Sequence, residues 1–133
     1  MDPETKALEA VEWAVSLETV QDGEPHPAEP VLAKFVVAFG AKTVALAIFA
    51  DSAKPHRTAS FLRLLGRISN VSVEDRRLLA SRGLASPEDA VRDAALQALE
   101  TWDDKRLVDL VEGHPDPTPY LALYAHSLLK LQT

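Results

Sequence analysis

Residues Ser86 to Trp102 read S-P-E-D-A-V-R-D-A-A-L-Q-A-L-E-T-W, and Val91, Ala94, Ala95, Ala98, Leu99 and Trp102 recur at helical spacing on one face. Half of that face is alanine, so it is shallow and lets a second helix approach closely. Ser86 suits the N-cap, Pro87 the first helical position, and Glu88 and Asp89 the positive end of the helix dipole. Such a helix buries its stripe only against neighbours, and the rest of the chain supplies them.

Leu8, Val11, Trp13, Ala14, Val15 and Leu17 lie among Glu9, Glu12 and Glu18, which predicts a first helix over 5–19. Gly23 and three prolines make 21–30 a loop. Pro30 opens a segment in which Leu32, Phe35, Val36 and Phe39 follow a buried helical stripe, with Gly40 as its stop. The β-branched content of this segment and of 43–50 also allows strands; repetition along the chain selects helix for both. Residues 56–69 carry Phe61, Leu62, Leu65 and Ile68 on one face. Ser72 or Val73 starts a short helix through Arg82 that Gly83 closes. Asp103 caps a helix to about Glu112, and the last helix spans 118–131 with the stripe Leu121, Tyr124, Ala125 and Leu128.

Aligning the second helix of each pair puts Leu32, Thr58, Val91 and Leu121 in one column and Phe35, Phe61, Ala94 and Tyr124 in the next, at steps of 26, 33 and 30 residues. Two helices joined by a turn and repeated about every thirty residues make a helical solenoid, whose units bury their faces by stacking. The competing architecture is an irregular helical bundle without repeats. The Trp and Leu-Gly spacing of tetratricopeptide units is missing, as is the T-P-L-H of ankyrin, and the armadillo unit is longer, with three helices.

The D-x-V-R-x-x-A-x-x-A-L pattern from Asp89 to Leu99 resembles the second helix of a HEAT or HEAT-like repeat, and the likeness is best over 74–131, fair over 43–69 and weak over 1–40. The resemblance implies an all-α fold, a short right-handed α-α superhelix of about four antiparallel helix hairpins, with units 5–40, 43–69, 73–102 and 103–131. It also implies a concave surface lined by the second helices. The Arg of the V-R pair, Arg92, would hold an acid in a neighbouring turn, with Asp89 and Glu88 as local candidates.

With 133 residues, 47% of them hydrophobic, the chain fits one folded domain. It has no cysteine, which excludes disulfides and thiolate metal sites. The acidic start Met1-Asp2-Pro3-Glu4 is unlike a signal peptide, and Gly40 and Lys42 interrupt the longest apolar tract, so a cytoplasmic location without membrane contact is expected. The net charge of −6 speaks against general nucleic-acid binding. Its distribution is uneven: 8 acids and 2 bases in 1–40, 3 and 8 in 41–82, 9 and 4 in 83–133.

Chemistry-bearing motifs are missing. No glycine-rich phosphate loop, H-E-x-x-H or G-x-S-x-G elbow occurs, and His26, His56, His114 and His126 lie far apart. Glu9 and Glu12 read as an exposed helix face. No catalytic residue, metal or cofactor is expected, and the chain reads as a non-enzyme.

The sharpest polar feature is His56, Ser60, Arg63 and Arg67, spaced 4, 3 and 4 and so on one helix face. Two readings fit it. It is a docking stripe for a carboxylate-rich peptide or a phosphate, or one side of an inter-repeat ladder in which Arg67 faces Glu100, Glu100 faces Lys130 and His56 faces Asp89. The last helix is apolar nearly all round, with Tyr120 and Tyr124 as candidate interface anchors. That end would close against a second copy or dock a partner.

The leading expectation is a non-enzymatic protein-protein interaction module that uses its concave face and C-terminal flank, with His56, Ser60, Arg63, Arg67, Asp89, Asp93, Glu100, Tyr120 and Tyr124 as contact residues. A second is an immunity or inhibitor protein that neutralises a basic enzyme, such as a nuclease toxin, with its late acids Glu88, Asp89, Asp93, Asp103, Asp104 and Asp109. HEAT-like nucleic-acid binding ranks lower because one hairpin of four is basic. A HEAT-like lyase that attaches pigments to phycobiliproteins ranks lower still, since repeat similarity does not carry activity.

Overall fold

The computed structural model describes residues 9, 28–40, 42–43, 49, 55–68 and 71–132. Among these the chain is helical, with no strand. The helices are α1 (Ala28–Phe39), α2 (Pro55–Gly66), α3 (Val73–Leu84), α4 (Asp89–Trp102), α5 (Val108–Gly113), preceded by a 3₁₀ turn (Lys105–Leu107), and α6 (Pro119–Gln132). The choice of helix over strand for the segment after Pro30 is thereby decided. The expected helix over 5–19 and the segment 43–50 lie outside the described residues, apart from Glu9, Thr43 and Phe49. No described helix is long and apolar enough to cross a membrane.

The packing centres on α4. Its Val91, Ala94, Ala95, Leu96, Ala98 and Leu99 are all buried, and the alanines set how near its neighbours come. A Cβ placed on Gly66, at the end of α2, would lie 2.8 Å from Ala98 Cα; one placed on Gly83 of α3 would lie 2.7 Å from Ala95 Cβ. Two helices therefore meet α4 at glycine-on-alanine contacts close to backbone distance. Around them α2 buries Phe61, Leu62, Leu64 and Leu65 completely, each worth about 1.5–3 kcal/mol when removed from water.

Polar contacts fix the direction of these helices. Trp102, in the last turn of α4, donates from Nε1 to the Leu65 carbonyl at 3.1 Å, an oxygen that also accepts from Ile68 N just past the end of α2 at 3.2 Å. The ends of α2 and α4 thus lie together, and the two helices run in the same direction. Arg76, near the start of α3, lies over the Trp102 ring at 5.4 Å while Gly83, near its end, meets Ala95, so α3 runs against α4. Helices α2, α4 and α6 contact one another in that order as one layer, α3 touches α5 in a second, and α3 pairs with α4 as α5 does with α6.

The aligned columns mark the core. Leu32, Thr58, Val91 and Leu121 are all buried, as are Phe35, Phe61 and Ala94, with Tyr124 half-buried against them. Helix α1 departs from the common register. Glu29, in its first turn, bonds Arg67 beyond the end of α2 at 3.4 Å. Parallel stacking would put those residues about 18 Å apart along the axis, the length of a twelve-residue helix. The order that joins α2, α4 and α6 does not reach α1.

Three expected boundaries are corrected. Helix α4 begins at Asp89 with Glu88 as N-cap; Ser86 takes the Glu88 N–H on its hydroxyl at 3.1 Å, making a turn before the helix instead of capping it. Gly83 does not close α3, which continues to Leu84; it is the buried contact to Ala95. Asp103 adopts the left-handed conformation that stops α4, and the cap of the next turn is Asp104, whose carboxylate accepts from Arg106 N at 3.1 Å. Ser72 caps α3 as its sequence suggests, accepting from Asp75 N at 3.3 Å.

Ion pairs join α3 to the segment that follows α4. Arg76 reaches Asp104 at 3.6 Å, and Arg77 holds Asp109 through both nitrogens at 2.7 and 3.1 Å while donating to the Arg106 carbonyl. Their hydrogen bonds, to Arg106 and to Arg77 respectively, hold the Asp104 and Asp109 carboxyls below the ordinary value of 3.8.

Gly66→Ala should destabilise the fold by about 1–3 kcal/mol through overpacking, despite the better helix propensity of alanine; urea unfolding gives the value. Because the folded carboxyls of Asp104 and Asp109 bind protons less readily than the unfolded chain, their contribution is present above pH about 4 and is lost as the pH falls through their lowered values. The melting temperature of Asp104→Asn should therefore fall less steeply on acidification than that of the parent.

Candidate functional site

The outward side of the α2–α4–α6 layer gathers most of the residues the sequence singled out. On α2, His56 is exposed, while Ser60, Arg63 and the adjoining Arg67 are partly so. Arg63 donates from Nε to Gln97 Oε1 at 3.2 Å, and Gln97 donates from Nε2 to Asp93 at 3.2 Å, a hydrogen-bonded row running from α2 onto α4. One turn earlier on α4, Asp89 is reached by the Tyr120 hydroxyl of α6 at 3.5 Å. Arg63, Asp93, Asp89 and Tyr120 therefore share one surface. Arg67 reaches Glu29 of α1, a pairing absent from the expected ladder.

The charge along this surface changes sign between helices: α2 is basic, and α4 presents Asp89 and Asp93. Among the described residues neither carboxylate is in an ion pair. Partial desolvation first, then the charges of Asp89 and Asp93, raise the Tyr120 phenol above its ordinary value of 10. Beside it, α6 exposes apolar surface: Tyr120 is 57% and Leu123 72% accessible, one helical turn apart.

Other members of the expected set sit elsewhere. Tyr124 is half-buried against the core. Glu100 stands at the lip of a crevice lined by Leu99, Leu107, Val111 and Leu128, whose volume of about 20 Å³ holds no more than a water. Leu123 falls between the inward positions Leu121, Tyr124, Ala125 and Leu128, of which Leu121 and Leu128 are buried and Tyr124 and Ala125 half-buried; that outward phase was the signal in the sequence, and the expected contact set lacks it. Gln97, which links two charged rows, carried no signal.

Arg92 holds α6 in place beside α4. Its guanidinium is buried and donates to Asp116 at 3.0 Å, to the Ser86 carbonyl at 3.0 Å and to Thr118 Oγ1 at 3.0 Å. Asp116 in turn accepts from Thr118 N at 2.9 Å. One side chain thus joins the turn before α4 to the turn before α6, and so positions Tyr120. Its acid is Asp116, not the expected Asp89 or Glu88, because Arg92 lies on the inner face of α4 while those two acids are exposed on the helix start.

A second cleft of about 470 Å³ lies where Phe49, Pro55 and Thr58 meet Arg82, Glu88 and Val91, with the Arg82 guanidinium over the Phe49 ring at 5.1 Å. Among the described residues, no group of three or more acids and histidines could hold a metal ion. No protein-family model, curated protein or solved structure matches this chain.

Arg92→Met should cost about 3–5 kcal/mol, since it leaves the buried Asp116 carboxylate unpaired. Adding Asp116→Asn should recover part of that loss, as measured by urea denaturation of the single and double variants.

Proposed function

We propose that this chain is a non-enzymatic protein-interaction module, built as a short HEAT-like stack and binding a partner through the outward side of α2, α4 and α6. The observation that carries this reading is the exposure of Tyr120 and Leu123 at the α6 end of a polar surface whose charges change sign from helix to helix. Exposed aromatic and aliphatic side chains flanked by polar groups are the composition of contact sites. Support for the stack comes from the parallel run of α2 and α4, the α4–α6 contact that follows it, and the second layer of α3 and α5. The departure of α1 limits the proposed repeat order to residues 55–132.

Nucleic acid is the weaker alternative, because Arg67, Arg76, Arg77, Arg92 and Arg106 are engaged with carboxylates of the chain itself. An inhibitor of a basic enzyme is the stronger one, favoured by Asp89 and Asp93, which among the described residues are in no ion pair. In either protein-binding reading the chain acts through contact and performs no chemistry.

A photo-reactive phenylalanine analogue installed at Ser60 or at Leu123 should give a discrete protein adduct in lysate from the source cells. The same group at Glu112, outside the proposed surface, should not. Adducts from Glu112 alone, or from all three positions equally, would contradict the assignment.

A further inference from the structure

Given that this surface binds protein, its occupant can be narrowed by chemistry. We propose that the α4–α6 edge receives a basic amphipathic segment of the partner, with lysine or arginine side chains on Asp89 and Asp93 and apolar residues on Tyr120 and Leu123.

Three features of the molecule lead there. Asp89 and Asp93 lie one turn apart on α4, Asp89 exposed and Asp93 partly so, and neither is neutralised by a described cation. The nearest candidates are spent: Arg92 turns inward to Asp116, Ser86 and Thr118, and Arg63 stops at Gln97, whose amide stands between it and Asp93. The apolar half of the site is immediately adjacent, since the Tyr120 hydroxyl touches Asp89 and Leu123 follows one turn along α6.

A partner with only charge would leave Tyr120 and Leu123 wet, and one with only apolar side chains would desolvate two carboxylates without recompense. A segment carrying both kinds satisfies the whole edge. Its cation gains two carboxylates and the face of a tyrosine ring, while the flanking apolar contact removes water and strengthens the electrostatic part. A second copy of this chain is a poorer fit, because the exposed apolar pair of one α6 would bring its own neighbouring acids toward those of the other.

The test is a titration of the isotopically labelled chain with a short amphipathic helical peptide of leucine and lysine, and with the same peptide carrying glutamate in place of lysine, both followed by amide chemical shifts. The lysine peptide should shift Asp89, Asp93, Tyr120 and Leu123, and binding should weaken as salt rises. Asp89→Asn with Asp93→Asn should weaken it about 10-fold, whereas Glu74→Gln with Glu112→Gln, which removes equal charge from other exposed positions, should change it less than about 2-fold.

Equal weakening by both double variants would overturn the proposal, as general charge attraction would then explain the binding. Preference for the glutamate peptide at the same residues would also overturn it, yet would leave the protein-interaction reading standing with a different occupant. Concentration-dependent shifts at Tyr120 and Leu123 without peptide would assign the edge to a second copy. Absence of shifts with either peptide, together with absence of photo-adducts, would remove both proposals.

Discussion

The contact of two glycines with two alanines sets the geometry of the described structure. Gly66 sits on Ala98 and Gly83 on Ala95, so α2 and α3 approach α4 about as closely as backbones allow. Small residues at a crossing contribute little hydrophobic area themselves. Their effect is to bring the large side chains of both helices into one layer, where Phe61, Leu62, Leu65 and Leu96 are sealed from water. Trp102 then fixes the far end of that crossing by bonding the Leu65 carbonyl and underlying Arg76. The close approach sets the distance, and the tryptophan sets the direction.

The proposed surface follows from that arrangement. With α2 and α4 parallel, Arg63 and Gln97 come level, and the basic face of α2 is placed alongside the acidic face of α4. Arg92 extends the order by one helix, because its bonds to Asp116 and Thr118 fix the turn leading into α6, while its bond to the Ser86 carbonyl ties that turn to the start of α4, and so bring Tyr120 to Asp89. A buried ion pair is a poor source of net stability, and its value here is positional: Asp116 and Thr118 have one place to go. The residues that shape the surface are therefore not those that would touch a partner.

Much of this was legible in the sequence because helical periodicity reports burial directly. The stripe Val91, Ala94, Ala95, Ala98, Leu99 and Trp102 is the buried face of α4, and the aligned columns fall in the core. The alanines announced a close approach, although not which residues would make it; a lone glycine near a helix end reads equally as a stop, and only the crossing distinguishes Gly83 from Gly40, whose φ of +84° does end α1. Arg92 was legible as structural, yet its partner Asp116 lies 24 positions away, beyond what local spacing can identify. For α1, repetition implied a parallel register, and the Glu29–Arg67 pair shows that an amphipathic stripe gives a helix its buried face without giving its direction.

Nuclear Overhauser contacts in solution report whether α4 is the close-packed hub of two crossings. Strong cross-peaks are expected from the Gly66 α-protons to the Ala98 methyl and from the Gly83 α-protons to the Ala95 methyl, with the Trp102 indole proton protected from exchange. Absence of the two glycine–alanine cross-peaks in an otherwise assigned and folded chain would contradict that packing.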